Sequence, residues 1–377
     1  EEIVKSPGIP DNSTLMKKII KQSINVISEV EFASRFTAAK IVAITGSNGK
    51  TTTTLLIGHI LKKAGYDVLV AGNIGTGFAR EIAKKDYDYI VLELSSFQLD
   101  GIQKFKPKIA IVLNITPDHL NRYNNEFEKY VASKLRISMN QNKEDLLIYN
   151  EDDITIRKNI KTNARRISFS LKNQMKGEGA FYKDNKININ LNNNKMTIQE
   201  LALQGRHNIY NSMAAAITGR ILDVKNDIIR QSMLDFQNVE HRLEFVLSVH
   251  GIDFVNDSKA TNVNATWYAL ESMSKSVIWI AGGVDKGNDY TEIEDLVKAR
   301  VKTIICIGES AEKIKKHFKK ITSQIQIYDS MKDAVQTSYQ LGNKGDVVLL
   351  SPACASFDMF HNFEQRGLEF KRQVRKL

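Results

Sequence analysis

Cysteine is scarce. Cys306 and Cys354 are the two in 377 residues, and they stand far apart in apolar, strand-like text, which argues against a disulfide framework or a cysteine-bound metal and leaves buried thiols. No apolar run approaches the ~18 residues of a membrane-spanning helix. The first residues, Glu1-Glu-Ile-Val-Lys-Ser-Pro-Gly8, carry neither the basic nor the apolar region of a secretory signal. The expected setting is therefore the cytoplasm, without membrane insertion. The lysines do not gather with aromatics into a stripe. A net charge of +10 is scattered through Asn/Ile/Lys-rich text, and the patch Lys313-Ile-Lys-Lys-His-Phe-Lys-Lys320 fits the exposed side of an amphipathic helix, so no nucleic acid is expected as a partner. Internal repeats and low-complexity tracts are missing too.

What remains is ordinary globular composition, 42% hydrophobic and 25% charged, in a length that a prior of roughly 100–200 residues per domain divides into two or three. The most informative segment is Ile41-Val-Ala-Ile-Thr-Gly46-Ser-Asn-Gly49-Lys50-Thr51-Thr52-Thr53-Thr54. A short β-branched run meets glycines, and Lys-Thr then opens a helix. Glycines let backbone N–H groups approach a polyphosphate, the helix N-terminus adds partial positive charge, Lys50 can pair with outer phosphates and the Thr51 hydroxyl can ligate Mg²⁺. Position 44 is Ile where the usual pattern has glycine, so an ordinary Gly-rich turn stays open.

Strands at Ile41–Thr45, Asp67–Ala71, Tyr89–Leu94, Ile109–Asn114 and Leu146–Tyr149 alternate with helices at Lys50–Lys63, Phe78–Lys84 and Glu126–Met139. This predicts a parallel sheet covered by helices. Residues 165–204 read as a small antiparallel appendage with turns at Lys183-Asp-Asn-Lys186 and Asn192-Asn-Asn-Lys195. Helices around Asn208–Leu222 and Asn226–Phe236 follow. Beyond a boundary near Asn238 a second α/β unit is expected, with strands near Phe245–Val249, Asp253–Asn256, Val277–Ala281, Thr303–Ile307, Gln326–Tyr328 and Asp346–Leu350.

Ligands of such sheets collect beyond the carboxyl ends of strands. Glu93 and, past the next strand, His119 suit a second Mg²⁺ or a nucleophile-positioning site, or else a helix cap and a loop histidine. Lys134 reads as a helix-surface lysine. Asn208 and Asn211 suit either a helix cap or a base or ribose. In the second unit Asp257, Lys259 and Thr261, then Lys286, then Ser356 follow three strands, and their convergence would suit a carboxylate-bearing substrate.

The motifs Lys5-Ser-Pro-Gly-Ile-Pro10, Ala43–Thr51, Gly72-Asn-Ile-Gly75, Leu92-Glu-Leu-Ser-Ser-Phe-Gln-Leu99, Asp118-His119, His241-Arg242, Asn256-Asp-Ser-Lys-Ala-Thr-Asn262 and Ser351-Pro-Ala-Cys-Ala-Ser356 together resemble the Mur ligases, essentially end to end. The early-glycine phosphate loop is typical of the whole superfamily. The segments at 93–98, 256–262 and 351–356 resemble its D-glutamate-adding members. The resemblance implies ATP- and Mg²⁺-dependent amide ligation in peptidoglycan precursor synthesis: the terminal carboxylate of UDP-N-acetylmuramoyl-L-alanine attacks the γ-phosphate, and D-glutamate captures the acyl phosphate.

By position, the resemblance implies that Gly46, Asn48, Gly49, Lys50, Thr51 and Thr52 hold ATP, with Thr51 on Mg²⁺. Glu93, His119 and Lys134, the last carbamylated, would serve a second magnesium region. Only the resemblance moves Lys134 from the surface into the site. Asn73, Ser95 and Gln98 would lie along the muramoyl substrate, and Asn208 and Asn211 toward adenine or ribose. Arg242 and Asp257 would reach ATP from the C-terminal domain, so catalysis would need domain closure. Thr261, Lys286, Ser356, Phe357 and Phe363 would hold D-glutamate, with Phe357 where the family often has leucine, and Lys259 would sit near the reacting phosphate. The implied layout is a tail of an N-terminal uridine-binding domain over 1–28, that domain being otherwise largely absent from a trimmed chain; a central P-loop-type ATPase domain over 29–238; and a Rossmann-like C-terminal domain over 239–377. A monomer is expected. The alternatives are another amide ligase of the superfamily, adding a different amino acid or extending folate, which the 256–262 and 351–363 segments discriminate, and a noncatalytic ATP-binding module, which would keep Lys50 but not need the Lys286 and Ser356 cluster.

Overall fold

The computed structural model describes residues 2–9, 13–74, 76–175, 177–192, 194–203, 205–236, 240–322 and 324–377. The expected boundary residue Asn238, Gly75 and Pro10 of their motifs, and Asn193 of the second expected turn lie outside the described residues. The chain divides into two units, Glu1–Gln237 and Asn238–Leu377.

The first unit opens with a parallel pair, β1 (Glu2–Lys5) and β2 (Asn25–Ser28), linked through α1 (Thr14–Lys21) and followed by α2 (Glu29–Ala33). Ile41-Val-Ala-Ile44 is apolar at every position, which a strand tolerates only inside a sheet covered on both faces. It forms the middle of β3 (Lys40–Thr45). The sheet continues with α3 (Lys50–Lys63), β4 (Val68–Gly72), α4 (Phe78–Ile82), β5 (Tyr89–Glu93), α5 (Ser96–Asp100), β6 (Ile109–Val112), α6 (Phe127–Leu135), β7 (Leu146–Asn150) and α7 (Ile154–Asn159). It is completed by β8 (Arg165–Ser170), β9 (Gly179–Lys183), β10 (Lys186–Leu191) and β11 (Asn194–Ile198), before α8 (Arg206–Ile221) and α9 (Asn226–Asp235). The order is β11-β10-β9-β8-β7-β6-β3-β5-β4. Val42 and Ile44 pack under α3, α8 and α9 with Leu56, Ile60, Met213 and Ile229, whereas Ile41 and Ala43 face Phe78, Leu99, Tyr130 and Ile156.

Residues 165–204 differ from expectation. β8 pairs parallel with β7, and β9 pairs parallel with β8; only the β9-β10-β11 meander is antiparallel. The stretch is the edge of the same sheet rather than an appendage, because Ile167, Phe169, Ala180, Ile187 and Ile189 share one apolar cluster with Val42 and α8. The turn at 183–186 is as expected: Asp184 and Asn185 have φ of 52° and 57°, the left-handed pair that a two-residue hairpin needs.

The second unit runs β12 (Glu244–Val249), β13 (Ile252–Asn256), α10 (Val263–Ser272), β14 (Val277–Gly282), α11 (Glu294–Arg300), β15 (Val301–Ile307), α12 (Ala311–Phe318), β16 (Ile325–Tyr328), α13 (Met331–Leu341), β17 (Val347–Leu350) and α14 (Phe363–Val374). The order is β12-β13-β17-β14-β15-β16, parallel except for β12. β17 enters last and lies between β13 and β14, so the carboxyl ends of these three strands open side by side, where doubly wound sheets bind ligands. Trp279, Tyr290 and Phe318 fill one face, Phe254 and Phe370 the other. Both cysteines are buried and free. No helix among the described residues is long and apolar enough to cross a membrane.

Candidate active site

In the first unit the loop after β3 turns into α3 at Gly49, whose φ of 82° places it in the left-handed region. A Cβ there would lie 2.3 Å from Asn211 Oδ1, so glycine is required twice over. The loop is held from β6: Ser47 N donates to Asn114 O (2.9 Å), Asn48 N donates to Asn114 Oδ1 (2.8 Å), and Asn114 Nδ2 donates back to Asn48 O (3.0 Å). Ser47 Oγ donates to Thr116 O (2.8 Å) and lies 3.1 Å from the Tyr130 hydroxyl. Lys50 Nζ donates to Gly46 O (2.8 Å) and Ser47 O (2.9 Å), which holds an ammonium inside the ring of loop amides. Thr51 and Thr52 are buried in the first turn of the helix.

Lys134 is not on the surface. It is 2% exposed, because α6 turns Tyr130, Ser133 and Lys134 inward, and its Nζ donates to Gly46 O at 2.9 Å, the carbonyl that Lys50 also uses. The same Nζ lies 4.6 Å from the Tyr130 ring centroid. Burial drives this ammonium well below the ordinary lysine range and the Lys50 charge adds to the effect, while Asp118, Glu93 and Asp100 pull the other way.

Glu93 ends β5 at 2% exposure. Its Oε1 accepts from Asn73 Nδ2 at 2.9 Å, and its buried Oε2 has no partner among the described residues. The helix-cap alternative does not hold for Glu93, because Ser95 is the cap of α5 and forms a reciprocal capping box with Gln98. Ser95 and Gln98 therefore hold each other, with Gln98 Oε1 accepting from Ser95 N at 2.9 Å. An unpaired buried carboxylate oxygen is costly unless a cation meets it, and an oxygen ligand of this kind fits an oxygen-seeking ion such as Mg²⁺. His119 has a left-handed φ of 54°, an Nε2 3.7 Å from Asp118 Oδ2, and a ring edge-on to Phe97 at 5.4 Å.

Asn208 and Asn211 do not cap their helix. The cap of α8 is Gly205, and both asparagines lie buried inside it. Asn211 Oδ1 accepts from Thr53 Oγ1 (3.2 Å) and its Nδ2 donates to Asn208 Oδ1 (3.2 Å), which lays the pair against the phosphate loop.

In the second unit Asp257 follows β13, fully enclosed. Its Oδ1 accepts from Leu243 N (3.2 Å) and its Oδ2 from Ser351 Oγ (3.0 Å); burial pushes its carboxyl up to about 6 against the pull of Arg242. Lys259 Nζ lies 5.1 Å from the Phe363 ring centroid, and Lys259 N donates to His241 O. Thr261 is partly buried just before α10, Lys286 is exposed after β14, Ser356 is buried after β17, and Phe357 beside it is 71% exposed. Glu240, His241 and Glu244 bring potential ligand atoms within 4.8 Å of one another. Lys371 Nζ occupies both carboxylates (2.5 and 2.9 Å) and Asn256 Nδ2 meets His241 Nδ1, so this is an ion-pair network.

Several residues were not singled out from the sequence. Asn114 and Tyr130 shape the phosphate loop. Arg366, 1% exposed, donates to Ser258 Oγ (3.0 Å), Ser258 O (2.9 Å) and Cys354 O (3.1 Å), tying the loops after β13 and β17 together. Burial lowers it to about 10 against the opposing pull of Cys354, Asp358 and Asp257. Its signal was periodic: Arg366, Phe370 and Val374 lie on the buried stripe of α14.

Residues 44–219 match the family model described as Mur ligase middle domain, and residues 241–354 the one described as Mur ligase, glutamate ligase domain. The chain is 50% identical over 380 residues to the UDP-N-acetylmuramoylalanine--D-glutamate ligase of Christiangramia forsetii, covering all of this chain and 85% of that protein. It is 49% identical over 383 residues to the ligase of the same name from Porphyromonas gingivalis, again covering all of this chain and 85% of the relative. The fold is shared with MurF from Acinetobacter baumannii (TM-score 0.70, 18% identity, 92% of this chain and 79% of that one). A pseudomurein peptide ligase type C from Methanothermus fervidus is equally similar (TM-score 0.70, 19% identity, 100% and 86%). Two matched domains spanning most of the sequence and close relatives along its whole length establish that the chain belongs to the Mur ligase family.

Proposed function

We propose that the chain joins D-glutamate to UDP-N-acetylmuramoyl-L-alanine at the expense of ATP, as the printed names of its relatives describe for them, with residues 29–238 as the ATP-binding domain and 239–377 as the amino-acid domain. The observation that carries the reading is the corner where Lys50 and Lys134 share the Gly46 carbonyl within electrostatic reach of Glu93, one of whose oxygens has no partner among the described residues. Loop amides from Gly46 to Thr52 and the Lys50 ammonium stabilise charge on the transferring γ-phosphate. The substrate carboxylate attacks that phosphorus, ADP leaves, and the resulting acyl phosphate is attacked by the D-glutamate amine with loss of phosphate. Asn73, Ser95 and Gln98 line the muramoyl substrate, Asn208 and Asn211 the nucleoside, and Arg242 and Asp257 the phosphates and ribose. Lys259 stands by the reacting phosphate, and Thr261, Lys286, Ser356, Phe357 and Phe363 receive D-glutamate.

Bound Mg²⁺, held by Thr51, Glu93, His119 and carbamylated Lys134, would supply Lewis-acid charge at the phosphates. Carbamylation suits Lys134 chemically. A buried amine whose proton is disfavoured is a nucleophile for CO₂; its Nζ bonds the carbon, loses a proton, and becomes an anion beside the Lys50 cation. The test is phosphate release with ATP, Mg²⁺ and UDP-N-acetylmuramoyl-L-alanine, comparing D-glutamate with L-glutamate, L-lysine, meso-diaminopimelate and no amino acid. Stimulation by D-glutamate alone is expected. Stimulation by another amino acid would overturn the substrate, and no release at all would overturn the ligase reading.

A further inference from the structure

Lys286 adjoins a carboxylate in sequence, Asp285, and an aspartate beside a lysine ordinarily cancels part of its attraction for an anion. The fold engages that carboxylate elsewhere. Asp285 Oδ1 accepts from the backbone N–H groups of Gly287 (2.7 Å) and Asn288 (2.9 Å), and its Oδ2 accepts from the Tyr290 hydroxyl (3.0 Å) and the Lys313 ammonium (2.8 Å). Lys313 belongs to α12, so the ion pair ties the loop after β14 to the helix after β15; it also donates to Asn288 O at 3.4 Å. The Asp285 side chain is 14% exposed and that of Lys313 51%, so the pair is screened by salt from the lysine side. Lys286 itself is exposed and makes no ion pair among the described residues.

This loop is also fastened to the one bearing Ser356. Val284 and Ala355 exchange both backbone bonds (2.9 and 3.1 Å), and Asn288 Nδ2 donates to Ala353 O at 3.0 Å. The backbone that carries Lys286 is thus fixed at both ends, and the neighbouring negative charge is consumed by four donors.

We propose that Asp285 and Lys313 are positioning residues that present Lys286 as an uncompensated cation to a carboxylate of the acidic amino-acid substrate. Asp285 shapes the turn, and Lys313 offsets the charge that shaping introduces. The proposal rests on Lys286 being the carboxylate's partner. It predicts that losing Lys313 weakens substrate binding through Asp285, and that neutralising Asp285 reverses the loss.

The test is steady-state kinetics of the full chain, varying D-glutamate at saturating ATP and UDP-N-acetylmuramoyl-L-alanine, for Lys286→Ala, Lys313→Met, Asp285→Asn and the Asp285→Asn/Lys313→Met double variant. Asparagine keeps an oxygen for the Gly287 and Asn288 N–H groups, so the turn survives. Lys313→Met is expected to raise KM for D-glutamate about three- to tenfold, more at low salt, with KM for ATP unchanged. The double variant should return KM to within about twofold of the parent, a rescue that a merely structural ion pair would not give. A double variant no better than Lys313→Met, or an unchanged KM in Lys313→Met when Lys286→Ala raises it, overturns the positioning role. An unchanged KM in Lys286→Ala overturns the carboxylate role of Lys286 and the proposal with it.

Discussion

Replacing Lys134 by methionine keeps the aliphatic stem and removes the charge, which isolates the electrostatics of the buried corner. In the parent the ammonium has one carbonyl acceptor, one aromatic face and a second ammonium on the same carbonyl, with no carboxylate in ion-pair contact among the described residues. Burial, then Lys50, lower its proton affinity in the folded state. The folded protein therefore binds fewer protons at this site than the unfolded chain does. Stability must rise with pH wherever the folded group has lost its proton and the unfolded one, at about 10.4, still keeps it. The slope in that window is about 1.4 kcal/mol per pH unit. At about 2–4 °C per kcal/mol for a unit of this size, the gap in Tm between parent and Lys134→Met should change by about 3–6 °C per pH unit within that window, in the parent's favour as pH rises. Thermal unfolding of both proteins across the range measures it. Added bicarbonate should stabilise the parent and leave the variant alone, because a carbamate sets an anion beside Lys50, and turnover of the variant should fall by at least about a hundredfold. A stability difference that stays flat with pH would refute the buried, proton-poor lysine; full turnover in Lys134→Met would refute its part in the chemistry.

Lys50→Ala should abolish phosphate release, since it removes the ammonium held against the Gly46 and Ser47 carbonyls; turnover near the parent's would sink the loop assignment. Gly49→Ala combines a positive φ with a Cβ 2.3 Å from Asn211 Oδ1, and should cost about 1–3 kcal/mol of stability together with nucleotide binding, as measured by denaturant unfolding and ATP titration. Asp257, pushed up to about 6, binds more protons folded than unfolded between about pH 4 and 6. Its contribution to stability therefore falls as pH rises through that window, and kcat/KM for ATP should climb on an acid limb near 6 that Asp257→Asn abolishes. An unshifted limb in that variant would assign the titration to another group.

Element type was largely legible. The helix at Lys50–Lys63 was bounded to the residue because glycines and an apolar period mark both its entry and its face. The pairing of residues 165–170 was not, since alternation shows that a strand has two faces but not which strand lies beside it; that partner, β7, is set by packing under α8. Lys134 was misread from residue type. Its spacing gave another signal, because Tyr130, Lys134 and Ile137 stand at i, i+4 and i+7 on a stripe that is buried throughout. Asn211 was located but not interpreted, as its neighbour Gly49 is distant in sequence and near only after α3 and α8 pack. The phosphate loop could be read as a string because its chemistry is backbone amides in sequence order. The candidate residues of the second unit could be read only as three strand ends, since the strands stand side by side only because β17 enters the sheet last.

The clasp between Asn114 and the Asn48 peptide has a consequence for engineering. One side-chain amide accepts from the N–H and donates to the C=O of Asn48, so a residue beyond another strand does for the loop what a neighbouring strand does for a ladder. The loop's curvature is therefore not encoded within its own residues alone. Grafted into a foreign sheet with its helix but without the β6 edge, the Gly46–Thr51 segment would arrive as a flexible string, obliged to organise its amides at the moment of binding. A transplant that is to keep its grip on phosphate must carry Asn114, and the strand that aims it, as part of the graft.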